Sequence, residues 1–215
     1  SFDNVPKEKR VIIGWMSNWD YAQEVPTQAW RSSMTVAREV SLKKTNDGYI
    51  LKNIPVAQLK KYQGKSTRKT IKVKAENQLI EKSQIDLSKA VVDLDLKKMT
   101  AGKYTFALKN ALGEELTFGI DNTTKELFVD RSKSGNTDFG NHFATAVSKA
   151  PLNKVYSNVK MKLVIDKTSI EIFFNDGEKV LTEIFFPNEH FSELYLSTDT
   201  KGSTLNIRGH QLNIN

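Results

Sequence analysis

The chain has 215 residues, enough for one large or two smaller domains and for a sizeable core, because the buried fraction of surface rises with length. It has no cysteine, which excludes disulfides, thiolate metal sites and cysteine nucleophiles, and its 32 Lys and Arg against 25 Asp and Glu leave a formal charge of +7. No apolar run approaches the ~20 residues that span a bilayer, so no membrane partner is expected, and no secretory leader opens the sequence.

In chain order, Val11–Trp15 and Met34–Leu42 read as strands. Between them Ser17–Ser33 is a long aromatic and polar loop, and all three tryptophans, Trp15, Trp19 and Trp30, lie in or beside it. Long ordered loops that concentrate aromatics are more often functional than structural. Asn46-Asp47-Gly48 is a turn signal. Pro55–Tyr62 is a short helical connector, with Pro55 in the first turn and Val56 and Leu59 sharing a face. The densest basic run follows: Lys60, Lys61, Lys65, Arg68, Lys69, Lys72 and Lys74, with Tyr62 as its one aromatic. Single-strand binding needs aromatics interleaved with such charge, so a solvated strand face is expected and a nucleic-acid partner is not.

From Ala90 onward the hydrophobic period is two. Val92, Leu94 and Leu96 alternate with Asp93, Asp95 and Lys97; Tyr104, Phe106 and Leu108 repeat the pattern. So do Met161, Leu163 and Ile165, then Ile170, Ile172 and Phe174 with Glu171 on the opposite face. A strand gathers such residues on one face for a second sheet to cover. Asn110–Gly113 is a turn, and Asn175-Asp176-Gly177 supplies the positive φ of a tight hairpin before Val180–Phe186. The pattern predicts an all-β protein built on a two-sheet antiparallel sandwich.

The block Gly14-Trp15-Met16-Ser17-Asn18-Trp19-Asp20-Tyr21 resembles glycoside hydrolase family 32. The match continues through Glu24-Val25-Pro26-Thr27, Trp30-Arg31-Ser32, Met34-Thr35 and Arg38-Glu39. Leu127–Ser132 with Ser134-Gly135, and Asp166–Gly177, are similar to stretches of the accessory sandwich in that family of levanases, inulinases and invertases. The resemblance implies residues 1–54 as the last blade of a truncated catalytic β-propeller, 55–66 as a linker with a short helix, and 67–215 as a concanavalin-like β-sandwich. It implies a parent enzyme that cleaves β-fructosidic bonds in fructan or sucrose and acts outside the cell or in the periplasm.

Retaining glycosidases need two carboxyl groups about 5–5.5 Å apart. The family's Trp-Met-Asn-Asp-Pro-Asn-Gly, Arg-Asp-Pro and Glu-Cys motifs, which carry its carboxylates, do not occur in this sequence. No catalytic residue is therefore assigned, and the chain alone is expected to be inactive. For sugar contact the resemblance selects Trp19 first, since an indole can cover the apolar face of a sugar ring, then Trp15, Trp30 and Arg31. The residue-level alternatives are packing for the tryptophans and a structural ion pair or stack for the arginine.

Asp130 and Asp166, near strand ends, read as turn-formers. His142, His190 and His210 show no ligand spacing, and neither metal nor cofactor is expected. Asn122-Thr123-Thr124 fits the glycosylation sequon. Two further accounts are a free-standing fructan-binding sandwich, which affinity of residues 67–215 for levan or inulin would favour, and DNA binding through the positive charge. A severed propeller edge leaves strands and indoles unburied, which predicts either self-association through residues 2–53 or collapse of that segment onto the sandwich.

Overall fold

The computed structural model describes the whole chain except residues 3, 47, 83 and 215. The expected turn at Asn46-Asp47-Gly48 therefore lies partly outside the described residues. A small sheet comes first: β1 (Val11–Ile12), β2 (Arg38–Thr45) and β3 (Gly48–Pro55), in that order and antiparallel. A 3₁₀ turn, Ala57–Tyr62, follows.

The rest is a sandwich of twelve strands. They are β4 (Gln63–Lys72), β5 (Gln78–Lys82), β6 (Ala90–Lys97), β7 (Lys103–Lys109), β8 (Glu115–Asp121) and β9 (Glu126–Lys133). The second half adds β10 (Ser148–Pro151), β11 (Asn158–Asp166), β12 (Ser169–Phe174), β13 (Lys179–Ile184), β14 (Glu193–Thr198) and β15 (Thr204–Leu212). Sheet I runs β10-β9-β8-β7-β14-β5 and sheet II runs β13-β12-β11-β6-β15-β4.

Period-two alternation explains the layering. Tyr104, Phe106 and Leu108 of β7 and Leu116, Phe118 and Ile120 of β8 face inward from sheet I; Phe106 and Phe118 stack at 5.5 Å. Leu94 and Leu96 of β6, Leu163 and Ile165 of β11, and Ile170, Ile172 and Phe174 of β12 meet them from sheet II. Each large side chain so enclosed contributes roughly 1.5–3 kcal/mol. The turn at Asn175–Gly177 joins β12 to β13 with all three residues at positive φ (43°, 57° and 82°), as a tight hairpin requires. The basic run starts on the 3₁₀ turn with Lys60 and Lys61, and Lys65, Arg68, Lys69 and Lys72 lie on β4, an edge strand, where lysines discourage pairing with another chain.

Three local readings change. The strands expected at Val11–Trp15 and Met34–Leu42 are broken. Only the bridge Trp15–Met34 joins their ends, and β2 starts at Arg38. The reason is that the Val36 amide donates to the Glu171 carboxylate (2.7 Å) instead of to a neighbouring strand. The connector forms as a 3₁₀ turn, and its Leu59 packs with Val36 beside Val91, Val164, Phe173 and Leu212 on the outer face of sheet II. Asn122 is fully buried; its Nδ2 donates to the carbonyls of Thr100 and Tyr156, and its Oδ1 accepts the Tyr156 amide. The asparagine of the sequon is thus interior and a structural clamp, while Thr123 and Thr124 are exposed.

Candidate functional site

The aromatic loop starts where β1 ends. Gly14 and Thr35 hold its mouth: the Gly14 amide donates to Thr35 Oγ1 at 3.0 Å and the Thr35 amide to the Gly14 carbonyl at 2.8 Å. Within the loop Asn18 accepts the amide of Asp20 on its side chain (3.1 Å) and that of Ala22 on its carbonyl (2.8 Å), a tight Asx-type turn. This turn points Trp19 outward and Tyr21 inward.

Tyr21 anchors the loop. It is buried edge-on against Phe143, with ring centroids 5.1 Å apart, and Val25, Ile184 and Phe186 close the cluster. The Arg131 guanidinium lies 4.1 Å from the Phe143 ring and 5.4 Å from Tyr21. It also pairs with Glu183 at 3.1 Å and donates to the Ile184 carbonyl. Burial pushes the Glu183 carboxyl up, and the Arg131 charge draws it back.

A second buried pair ties the start of β2 to sheet II. Arg38 Nε donates to Glu171 Oε2 at 2.9 Å, Nη2 bonds the same oxygen, and Nη2 also reaches Thr182 Oγ1 at 2.7 Å. The guanidinium sits over the Phe173 ring at 5.2 Å. The Glu171 carboxyl is likewise raised by burial, opposed by the Val36 amide and by Arg38. At the third contact, the hairpin turn of β12–β13, the Asn53 amide donates to the Gly177 carbonyl at 2.9 Å. A Cβ on Gly177 would collide with the Asn53 carbonyl, so the two backbones meet where only glycine fits. The N-terminal segment is therefore packed onto the sandwich at three places.

The four residues selected for sugar contact do not form one cluster. Trp15 and Trp19 come together, with ring centroids 5.0 Å apart and planes tilted by 57°. Trp19 is 80% exposed and Trp15 36%, so the pair presents an open aromatic surface. Trp30 stands apart, in a cleft of about 660 Å³ shared with Pro26, Asp166, Thr168, Phe186 and His190. Arg31 turns back to donate to the Val25 carbonyl at 2.8 Å, which stiffens the loop. Asp130 and Asp166 use their carboxylates on the nearby amides of Ser132 and Lys167, a turn-forming role. Among the described residues, no group of three or more His, Asp or Glu is placed to hold a metal ion.

Sequence reasoning passed over Arg38, Glu171, Arg131 and Glu183. One signal was available. β12 reads Ser-Ile-Glu-Ile-Phe-Phe, so Phe173 shares the outer face with Glu171, and a large aromatic there marks a face that something covers.

Chemically, the arrangement offers an aromatic platform and rigid support for it. The buried carboxylates of the junction are committed to arginines.

Residues 56–211 match the family description "Glycosyl hydrolases family 32 C terminal", and residues 1–54 match "Glycosyl hydrolases family 32 N-terminal domain". The chain is 34% identical over 201 residues to a levanase of Bacillus subtilis, covering 91% of this chain and 30% of that protein. It is 28% identical over 216 residues to an extracellular exo-inulinase of Aspergillus niger, covering 96% and 39% respectively. The crystal structure of an exo-inulinase from Aspergillus awamori superposes with a TM-score of 0.81 at 28% identity, over 97% of this chain and 41% of that one. The chain thus spans well under half the length of these relatives.

Proposed function

The chain belongs to family 32 of the glycosyl hydrolases, and on that premise we propose that it is the C-terminal portion of an enzyme hydrolysing β-fructosidic bonds in fructans or sucrose. In this reading residues 1–54 complete the catalytic propeller, residues 55–66 link, and residues 67–215 brace it. The sandwich works as a mount: Arg131, Phe143 and Phe186 grip Tyr21, and Tyr21 fixes the turn that carries Trp19.

The observation that carries the reading is the exposed Trp15–Trp19 pair on a loop anchored from beneath. An aromatic surface held rigid loses little entropy on meeting a sugar ring. Ser17 Oγ supports the same view, since it is shut from water with no hydrogen-bond partner among the described residues. Such an orphan costs about 1–3 kcal/mol unless a neighbouring group completes it. Trp19 and Trp15 are assigned to substrate contact; Arg31 stiffens the loop through the Val25 carbonyl, and Trp30, in its separate cleft, is a further contact candidate. The carboxylates of cleavage are assigned to protein outside this sequence, and the relatives named extracellular support an exported site of action.

A free-standing binding sandwich is less well supported. Among the described residues, the large apolar side chains exposed on residues 63–214 are all aliphatic, so that part presents no line of aromatics.

The test is Trp19→Ala in the longer enzyme containing this chain, assayed on levan, inulin and sucrose. A rise in KM or a fall in kcat of about tenfold or more is expected from loss of one aromatic sugar contact. Unchanged kinetics on all three, or fructose release by the 215-residue chain alone, would refute the assignment.

A further inference from the structure

A groove of about 1160 Å³ runs between β3 with its 3₁₀ turn and the outer face of sheet II. One wall is apolar, with Ile54, Val56 and Leu59; the floor is a row of charged residues. Strand register sets that row. Arg68 of β4 lies directly opposite Arg208 of β15, Arg208 opposite Asp93 of β6, and Asp93 opposite Lys162 of β11. Directly opposed residues have Cβ atoms about 5 Å apart, and like charges so placed repel.

The acids nearby relieve the repulsion only in part: Asp93 sits opposite Arg208 but is bonded to Lys162, and Asp176 also lines the groove. Asp95 is paired with Lys97 at 3.2 Å, and Glu39 with Lys9 at 3.0 Å. Among the described residues Arg68, Arg208, Lys52, Lys60 and Lys160 line the groove with no carboxylate at ion-pair distance. Two exposed guanidiniums side by side, each with free in-plane donors, suit a tetrahedral oxyanion that can accept from both. The groove is far larger than a free ion, and its apolar wall can hold the rest of a bigger molecule.

We propose that this groove is a binding site for a phosphate- or sulfate-bearing ligand, gripped by Arg68 and Arg208. The site lies on the sandwich and its junction, apart from the Trp15–Trp19 surface, and it accounts for an opposed arginine pair that folding alone disfavours. It would give the enzyme a hold on an anionic molecule or polymer while the aromatic surface meets neutral sugar.

The experiment is calorimetric titration of the chain at low ionic strength with three probes: inorganic phosphate, a hexose phosphate and a short polyphosphate. Binding by the hexose phosphate above that by inorganic phosphate identifies a small ester as the ligand class, and the polyphosphate alone a polymer; either supports the site. Arg68→Gln with Arg208→Gln should weaken binding by about tenfold or more. Lys65→Gln with Lys72→Gln removes the same charge outside the groove and should weaken it by less than about twofold. Thermal unfolding of both double variants checks that each is folded. The proposal is overturned if no probe binds the unaltered chain, or if the two double variants lose affinity equally.

Discussion

Residues 63–212 enclose their large side chains between two sheets; residues 1–62 keep theirs mostly outside. Of the sixteen large apolar side chains exposed among the described residues, eleven, from Phe2 to Tyr62, belong to the shorter N-terminal part. Among its described residues only Val11, Tyr21, Ala22, Val25 and Thr35 are buried, and Tyr21 and Val25 are buried against Phe143, Ile184 and Phe186 of the sandwich. The lesson is one of dependence: the sandwich carries stability and the segment borrows it through a few contacts. This asymmetry suits a support that must hold a binding loop without covering it.

The most damaging challenge to that comparison is a cavity in the sandwich. Phe118→Ala removes one ring of the Phe106–Phe118 stack and should cost about 3–5 kcal/mol. Chemical denaturation should show both regions unfolding together, because the segment cannot outlive its mount. A segment that stays protected after the sandwich unfolds would refute the dependence.

Arg38→Ala separates the two. It leaves Glu171 facing the junction uncompensated, a loss of about 3 kcal/mol in docking. Once the segment lifts, Glu171 can reach water, so the sandwich itself should hold. Limited proteolysis should cut within residues 1–62 while the remainder survives intact.

The pH response is a smaller and more discriminating probe. Burial raises both Glu171 and Glu183, so the folded chain binds protons more tightly than the unfolded one. Their contribution to stability is whole below the unfolded glutamate value near ~4.3 and is lost as pH rises through the raised folded values. Asp86, Glu114, Glu126 and Glu193 are lowered in the fold and act in the opposite sense, so the expected readout is a difference. From acid to neutral pH the urea midpoint of Glu171→Gln with Glu183→Gln should gain on that of the unaltered chain. A variant whose midpoint follows the same pH course as the unaltered chain would show that these two groups do not contribute to the slope.

The smallest expected effect on stability is that of Trp19→Ala, within about 0.5 kcal/mol, because the ring is 80% exposed. A larger loss would mean that the indole supports the loop and not a ligand.

The sandwich was readable in advance because its residues obey a local rule. Val92, Leu94 and Leu96, or Ile170, Ile172 and Phe174, declare their common face within five residues, and all of them lie in the core. Asn175-Asp176-Gly177 announces its own hairpin. β4 was legible only as a charged strand face, as an edge strand can be, and β5 gave no such signal because its five residues bring a single apolar side chain, Ile80, into the core. The junction was hidden for a different reason. Arg38 and Glu171 are 133 positions apart, and nothing in either neighbourhood names the other. The loop's aromatics were visible as a group, but their sorting into an exposed pair and a separate Trp30 depends on where Tyr21 is pinned.

The interior position of Asn122 has a practical consequence for making this protein in a eukaryotic secretory host. Oligosaccharide transfer acts on the emerging chain, before the asparagine's amide has closed on Thr100 and Tyr156. A sugar tree attached there could not enter a site with 0% exposure, so every modified copy would be a copy barred from its native state. Secreted material should therefore be unmodified at Asn122 by mass spectrometry, and Asn122→Gln would not rescue yield, since it forfeits the clamp along with the sequon.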